Sequence, residues 1–139
     1  LNKPPHSTEE VIRIMLIDDD PNQTELTTYN LKRTNRSFDI VNASTPKEAL
    51  KILREQRIDC VVSDLILPGM SGIQLCKEIK SFLNIPFILY SGRESEDITE
   101  DLFSACIDDY VRKEPDLIHY NVLTNKIRAA VSKQSNKIR

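Results

Sequence analysis

Short apolar runs alternate with longer amphipathic stretches along the whole chain. Residues 12–17 are apolar except for Arg13; further extended runs lie at 38–42, 59–63, 86–90 and 109–112. Continuous apolar runs bounded by turn residues are what strands buried on both faces of a parallel sheet require. Between them, apolar positions recur at helical spacing. The predicted helices cover 21–34 (stripe Leu26, Tyr29, Arg33), 46–56 (Ala49, Leu50, Leu53) and 72–82 (Ile73, Cys76, Ile79, Phe82, with Leu75 and Leu83 at the edge). A last helix over 115–132 carries Ile118, Val122, Leu123, Ile127, Ala130 and Val131. The polar stretch 93–101, leading into Leu102, Phe103 and Ala105, predicts a fourth helix whose first half has little apolar face. Five strands alternating with five helices give an α/β fold, a parallel sheet with right-handed crossovers and helices on both faces. Residues 1–10, with Pro4 and Pro5, read as a flexible leader, 11–132 as one domain, and 133–139 as a polar, basic tail or linker.

Composition narrows the function classes. The 139 residues suffice for one core, and 40% hydrophobic with 29% charged residues is ordinary for a globular domain. A net charge of -2 and the lack of a basic stripe with interleaved aromatics argue against direct nucleic-acid binding. No apolar run approaches the ~20 residues that span a bilayer, and no signal peptide is visible, so a cytoplasmic protein is expected. Cys60, Cys76 and Cys106 are widely spaced and sit in apolar patterns, which reads as buried thiols in a reducing compartment. With only His6 and His119 and no CxxC motif, no zinc site can be argued.

The chemistry collects where the strands end. In an open parallel sheet the carboxyl ends border the ligand crevice. Those positions hold Asp18, Asp19 and Asp20, then Asp64, Ser91 and Lys113. Carboxylates crowded together repel each other unless a cation neutralises them, and Mg2+, a hard ion that keeps several waters, suits such a set. A carboxylate beside that ion can attack phosphorus and form an acyl phosphate, while the Lys113 ammonium and Ser91 hydroxyl grip the phosphoryl oxygens. The plainer readings are that Asp20 caps the first helix, Tyr110 is a half-buried strand aromatic, and His119, outside any phosphotransfer motif, is a surface residue.

Four motifs in this order resemble the receiver (response regulator) domain of two-component signalling, over residues 12–131. They are Asp18-Asp19 after strand one, Asp-Leu-x-Leu-Pro-Gly-Met-x-Gly from Asp64 to Gly72, Ser91-Gly92 after strand four, and Asp108-Asp109-Tyr110-Val111-Arg112-Lys113. The resemblance implies a flavodoxin-like doubly wound five-stranded parallel sheet of order 2-1-3-4-5. It implies Asp64 as phosphoacceptor, Asp19 as a direct Mg2+ ligand, Asp18 acting mainly through water, and the Ile66 backbone carbonyl completing the metal site. It further implies Ser91 and Tyr110 as switch residues and Lys113 as the partner of the phosphoryl oxygen. The donor would be a histidine kinase or histidine phosphotransfer protein. A homodimer through the fourth helix, fifth strand and last helix is a candidate assembly. The chain would be a switch, not an enzyme acting on other substrates.

Two departures stand out. Receivers usually carry proline directly after the lysine, with a cis bond, whereas here Glu114 intervenes before Pro115; and Ser91 replaces the commoner threonine. The Lys-Glu-Pro variant and the pattern His119-Tyr120-x-Val122-Leu123 resemble receivers that precede sensor and kinase modules, suggesting a part of a larger signalling protein. Two alternatives stay open. Asp18-x-Asp20 also resembles the start of a haloacid-dehalogenase-type Mg2+ phosphatase, although Asn22 departs from that pattern. The displaced proline favours a receiver-like binding module that is never phosphorylated. The run of aspartates after strand one argues against a flavodoxin proper, because it would repel the flavin phosphate that such a loop must cradle.

Overall fold

The computed structural model describes residues 10–92 and 106–138. The predicted fourth helix therefore lies outside the described residues. Five strands, β1 (Ile12–Ile17), β2 (Phe38–Ala43), β3 (Cys60–Ser63), β6 (Phe87–Ser91) and β7 (Asp109–Arg112), form one sheet in the order β2-β1-β3-β6-β7. All four pairings are parallel, so the sheet order is the expected 2-1-3-4-5. Two further short strands, β4 (Ile66–Leu67) and β5 (Met70–Ser71), make an antiparallel hairpin that none of the apolar runs in the sequence predicted as strands covers. Gly69, at φ 85°, supplies its left-handed residue.

Alternation along the strands feeds two cores. Ile14 and Leu16 of β1 point to one face with Leu31, Phe38, Val62, Ile88 and Leu123, while Met15 and Ile17 point to the other with Ala49, Val61, Ile73 and Ile79. Helices α2 (Pro46–Glu55) and α3 (Gly72–Lys80) cover the second face; α1 (Pro21–Thr34) and the C-terminal helix (Ile118–Ile138) cover the first. Each of the first three starts on a side-chain cap. Asp20 accepts from the Asn22 amide, Thr45 from Glu48, and Ser71 from Gln74, whose side chain closes a capping box. Asp20 is thus the helix cap that the plainer reading assigned.

The stripe predicted for α1 is turned outward. Leu26 and Tyr29 are 47% and 61% exposed, and Thr27, Asn30 and Leu31 face the core instead. Polar side chains are tolerated there because they find partners: Asn30 donates to the Leu26 carbonyl, and the Thr34 hydroxyl meets that of Thr124 on the C-terminal helix. That helix starts later than predicted and runs on through Ile138, into the residues read as a tail. Its buried face is His119, Tyr120, Leu123, Thr124 and Ile127, leaving Ile118 and Val122 exposed.

Cys60 is a buried thiol, and burial pushes its pKa up. Cys76 and Cys106, read as thiols, are instead joined by a disulfide between α3 and the residue preceding the approach to β7, with Cα atoms 6.2 Å apart. The apolar patterning that buries both places them face to face, and cysteine use no longer argues for a reducing compartment. The link closes a loop of 30 residues in sequence separation, so reduction by dithiothreitol is expected to cost about 3 to 4 kcal/mol of stability. A lower urea midpoint in the wild type, with no such response in Cys76→Ala, is the readout.

Candidate functional site

The sheet register assembles the site. Ile17 pairs with Ser63, so Asp18 and Asp64, each one residue further on, leave neighbouring strand ends side by side. This is where the chain order reverses between β1 and β3, the crevice position of such sheets. The Asp64 amide donates to the Ile17 carbonyl (2.9 Å) and the Asp18 amide to the Ala43 carbonyl (3.1 Å), fixing both backbones. Ser91 pairs with Arg112, and the amide of Lys113, the next residue, donates to the Ser91 carbonyl (3.0 Å).

From β7, the Lys113 side chain crosses the end of β6 and reaches both carboxylates. Its Nζ lies 2.9 Å from Asp18 Oδ2 and 3.4 Å from Asp64 Oδ2. The Asp18, Lys113 and Asp64 side chains are 6%, 17% and 19% exposed, so this ammonium is the shared counter-ion of two carboxylates in a shielded cleft. The remaining oxygens are also engaged: Asp18 Oδ1 accepts from the Asp20 amide, and Asp64 Oδ1 from the Leu65 amide at 2.7 Å. Among the described residues there is no cis peptide bond, so Lys113-Glu114 is trans and the lysine still reaches the cleft.

Gly72 supports the acceptor from behind. A Cβ there would collide with the Asp64 carbonyl oxygen and press on Leu89 and Ser63. The Gly72 amide donates to the Leu65 carbonyl at 2.6 Å, tucking the start of α3 under the loop that follows Asp64.

The other predicted residues sit around this centre. Asp19 is exposed at the rim, Ile66 is 48% exposed beside the cleft, Ser91 is fully buried at the end of β6, and Tyr110 is half-buried on the α2–α3 face. Asp108 and Asp109 have scaffolding contacts: Asp108 holds Lys80 and the Phe87 amide, and Asp109 holds Lys126 of the C-terminal helix. Every acidic side chain facing the cleft offers hard oxygen donors. Among the described residues, no group of three or more His, Cys, Asp or Glu side chains is placed to hold a metal ion, so a cation here would need waters or backbone oxygens as well. A groove of about 600 Å³ opens beside Asp18 and Asp19, between α1 and the start of α2, and includes neither Asp64 nor Lys113.

His119 is the residue that sequence reasoning placed wrongly. It is 7% exposed, its Nε2 lies 2.6 Å from the Tyr90 hydroxyl, and its Nδ1 lies 2.7 Å from the Asp116 carbonyl. Tyr90 was read only as part of a strand. No spacing links two residues 29 apart; the one available signal was an aromatic with a polar tip beside the Ser91 strand end.

A family model of the response regulator receiver domain matches residues 14–127. The transcriptional regulatory protein AfsQ1 of Streptomyces coelicolor is 34% identical over 119 residues, 85% of this chain and 50% of that protein. The heme response regulator HssR of Staphylococcus aureus is 32% identical over 103 residues, 74% of this chain and 45% of that protein. The chain thus spans about half the length of the curated relatives it matches. The crystal structure of response regulator protein TrrA from Thermotoga maritima, in complex with Mg(2+)-BeF, superposes with a TM-score of 0.72 at 30% identity, covering 84% of this chain and 99% of that one. A receiver domain from Clostridium thermocellum gives 0.78 at 23% identity, covering 90% and 98%, a likeness of fold.

Proposed function

The chain belongs to the response regulator receiver domain family of two-component signalling, and from that premise we propose that Asp64 accepts a phosphoryl group from a phosphohistidine. The carrying observation is the convergence of Asp18, Asp64 and Lys113 from three strand ends within hydrogen-bonding reach. In the proposed step an Asp64 carboxylate oxygen attacks phosphorus, the P–N bond to the donor imidazole breaks, and the imidazole nitrogen keeps the electron pair and takes a proton from solvent. The product is an acyl phosphate on Asp64. Lys113 loses one carboxylate partner and gains a phosphoryl oxygen. Ser91, at the adjacent strand end, offers its hydroxyl to another, and with Tyr110 carries the change to a partner-binding surface.

The donor set fits Mg2+, which takes oxygen ligands and needs only one or two carboxylates when it keeps its waters. Asp18, Asp19, Asp64 and the Ile66 carbonyl would hold it. When bound, it supplies positive charge to the phosphoryl oxygens. The donor in this reading is a histidine kinase or histidine phosphotransfer protein, and the chain works in the cytoplasm. A homodimer through the predicted fourth helix, β7 and the C-terminal helix is the assembly in this reading, the fourth helix lying outside the described residues. The fraction of its relatives' length that the chain spans suits one part of a larger signalling protein.

Acetyl phosphate with Mg2+ is expected to add one phosphoryl group per chain by intact mass, and a chelator is expected to prevent it. Repeated turnover of a phosphate ester without an adduct would instead support the phosphatase alternative. No adduct from either acetyl phosphate or a phosphohistidine donor would support a phosphorylation-independent module.

A further inference from the structure

We propose that Tyr90 and His119 are positioning residues that hold the Lys113 ammonium in the acidic cleft; this rests on the phosphoacceptor reading above. The starting point is the path of the lysine. Its Nζ lies 5.3 Å from the centroid of the Tyr90 ring while it bonds Asp18 and Asp64. The negative face of an aromatic ring attracts a cation at that range, more strongly where water is excluded. Tyr90 is 2% exposed, so its ring is a shielded floor under the lysine tip.

That floor is fastened by His119. Asp116 presents a carbonyl oxygen, which only accepts, to His119 Nδ1 at 2.7 Å, so Nδ1 carries the hydrogen. In the neutral ring Nε2 is then the acceptor, and the Tyr90 hydroxyl donates to it at 2.6 Å. Burial holds the Tyr90 phenol well above its usual pKa, so the hydroxyl keeps its proton. The two ring planes are 20° apart with centroids 5.7 Å apart, the rings meeting end to end through this hydrogen bond, and His119 also lies against Tyr120 with centroids 4.0 Å apart. The hydrogen bond thus ties the tip of the Tyr90 ring to a histidine that is itself packed against Tyr120.

The same histidine anchors the loop that follows Lys113. Residues 114–117 are all exposed and bury no side chain of their own. Their described ties to the C-terminal helix are the Leu117 carbonyl, which accepts from the Tyr120 amide at 3.2 Å, and Asp116, whose carbonyl takes His119 Nδ1–H and whose Oδ1 takes the His119 amide at 3.2 Å. One side chain therefore pins both the loop leaving Lys113 and the ring beneath its ammonium. This ties β6, β7 and the C-terminal helix together directly behind the reacting carboxylate.

The test uses the chain with Tyr90→Phe, which keeps the ring but loses the hydroxyl, and Tyr90→Leu, which loses both. Each is made with Lys113 present and in a Lys113→Ala background, with folding checked by circular dichroism. With Lys113 present, Tyr90→Leu is expected to slow acetyl phosphate uptake about three- to tenfold and Tyr90→Phe less. In Lys113→Ala, neither is expected to change the residual rate more than about twofold, because contacts acting through one residue are not additive. Equal slowing in both backgrounds would overturn the proposal. A second readout needs no phosphorylation: the Lys113 ε-methylene proton signals should be shifted upfield by the ring in the wild type and Tyr90→Phe, and released in Tyr90→Leu. Unshifted signals in the wild type would also overturn it. If the wild type takes up no phosphate, the function proposed above fails, and the lysine signals alone decide whether Tyr90 holds Lys113.

Discussion

Asp64→Asn is expected to leave a folded chain that takes up no phosphoryl group from acetyl phosphate and Mg2+. The amide oxygen is uncharged and a far weaker nucleophile, and no neighbour can replace it at the same position. Asp18 is more deeply buried, 6% against 19% exposed, and is held more closely by Lys113, at 2.9 Å against 3.4 Å. Asp19 sits exposed at the rim. Stability should hardly change: asparagine keeps an oxygen for the Leu65 amide, which now lies 2.7 Å from Asp64 Oδ1. Lys113 keeps its shorter contact to Asp18, and one of two crowded carboxylates is gone. A shift within about 1 kcal/mol in urea unfolding is expected. Intact mass and circular dichroism on the same samples separate loss of the acceptor from loss of the fold.

The second large effect is structural. Gly72→Ala is expected to destabilise the chain by about 3 kcal/mol, at the upper end of overpacking costs. The added methyl meets the backbone oxygen of Asp64, with Leu89 and the Ser63 hydroxyl closing the other sides. A backbone carbonyl at the end of a central strand cannot rotate away as a side chain would. Relief must come by moving α3 or displacing Asp64, so phosphorylation should slow as well. Gly69→Ala is the contrast: nothing lies within 4 Å of its Cβ position, and the φ of 85° alone should cost about 1 kcal/mol. Urea midpoints of the two variants measure the difference.

The sheet was legible because its strands are buried on both faces, which requires uninterrupted apolar runs such as Ile14–Ile17 and Phe87–Tyr90. Asp18, Asp64 and Lys113 were legible for a related reason: a charged residue directly after such a run stands at the strand end, and parallel register brings those ends together. What escaped depends on partners distant in sequence. Thr27 and Asn30 turn α1 by presenting polar atoms inward, against the hydrophobic stripe that predicts the opposite face. Cys76 and Cys106 pair across two elements, and His119 meets Tyr90 across two more. The C-terminal helix outran its prediction because residues 133–138 offer no apolar face but also no glycine or proline to stop it.

The central claim is that the phosphoryl group resides on Asp64, and trapping the adduct tests it most directly. Wild type treated with acetyl phosphate and Mg2+ is reduced with borohydride, which converts an aspartyl phosphate to homoserine, then digested and sequenced by mass spectrometry. Homoserine at position 64, absent when the metal is chelated, is the predicted result; homoserine at 18 or 19, or none in a chain that carries the added phosphoryl mass, would contradict it.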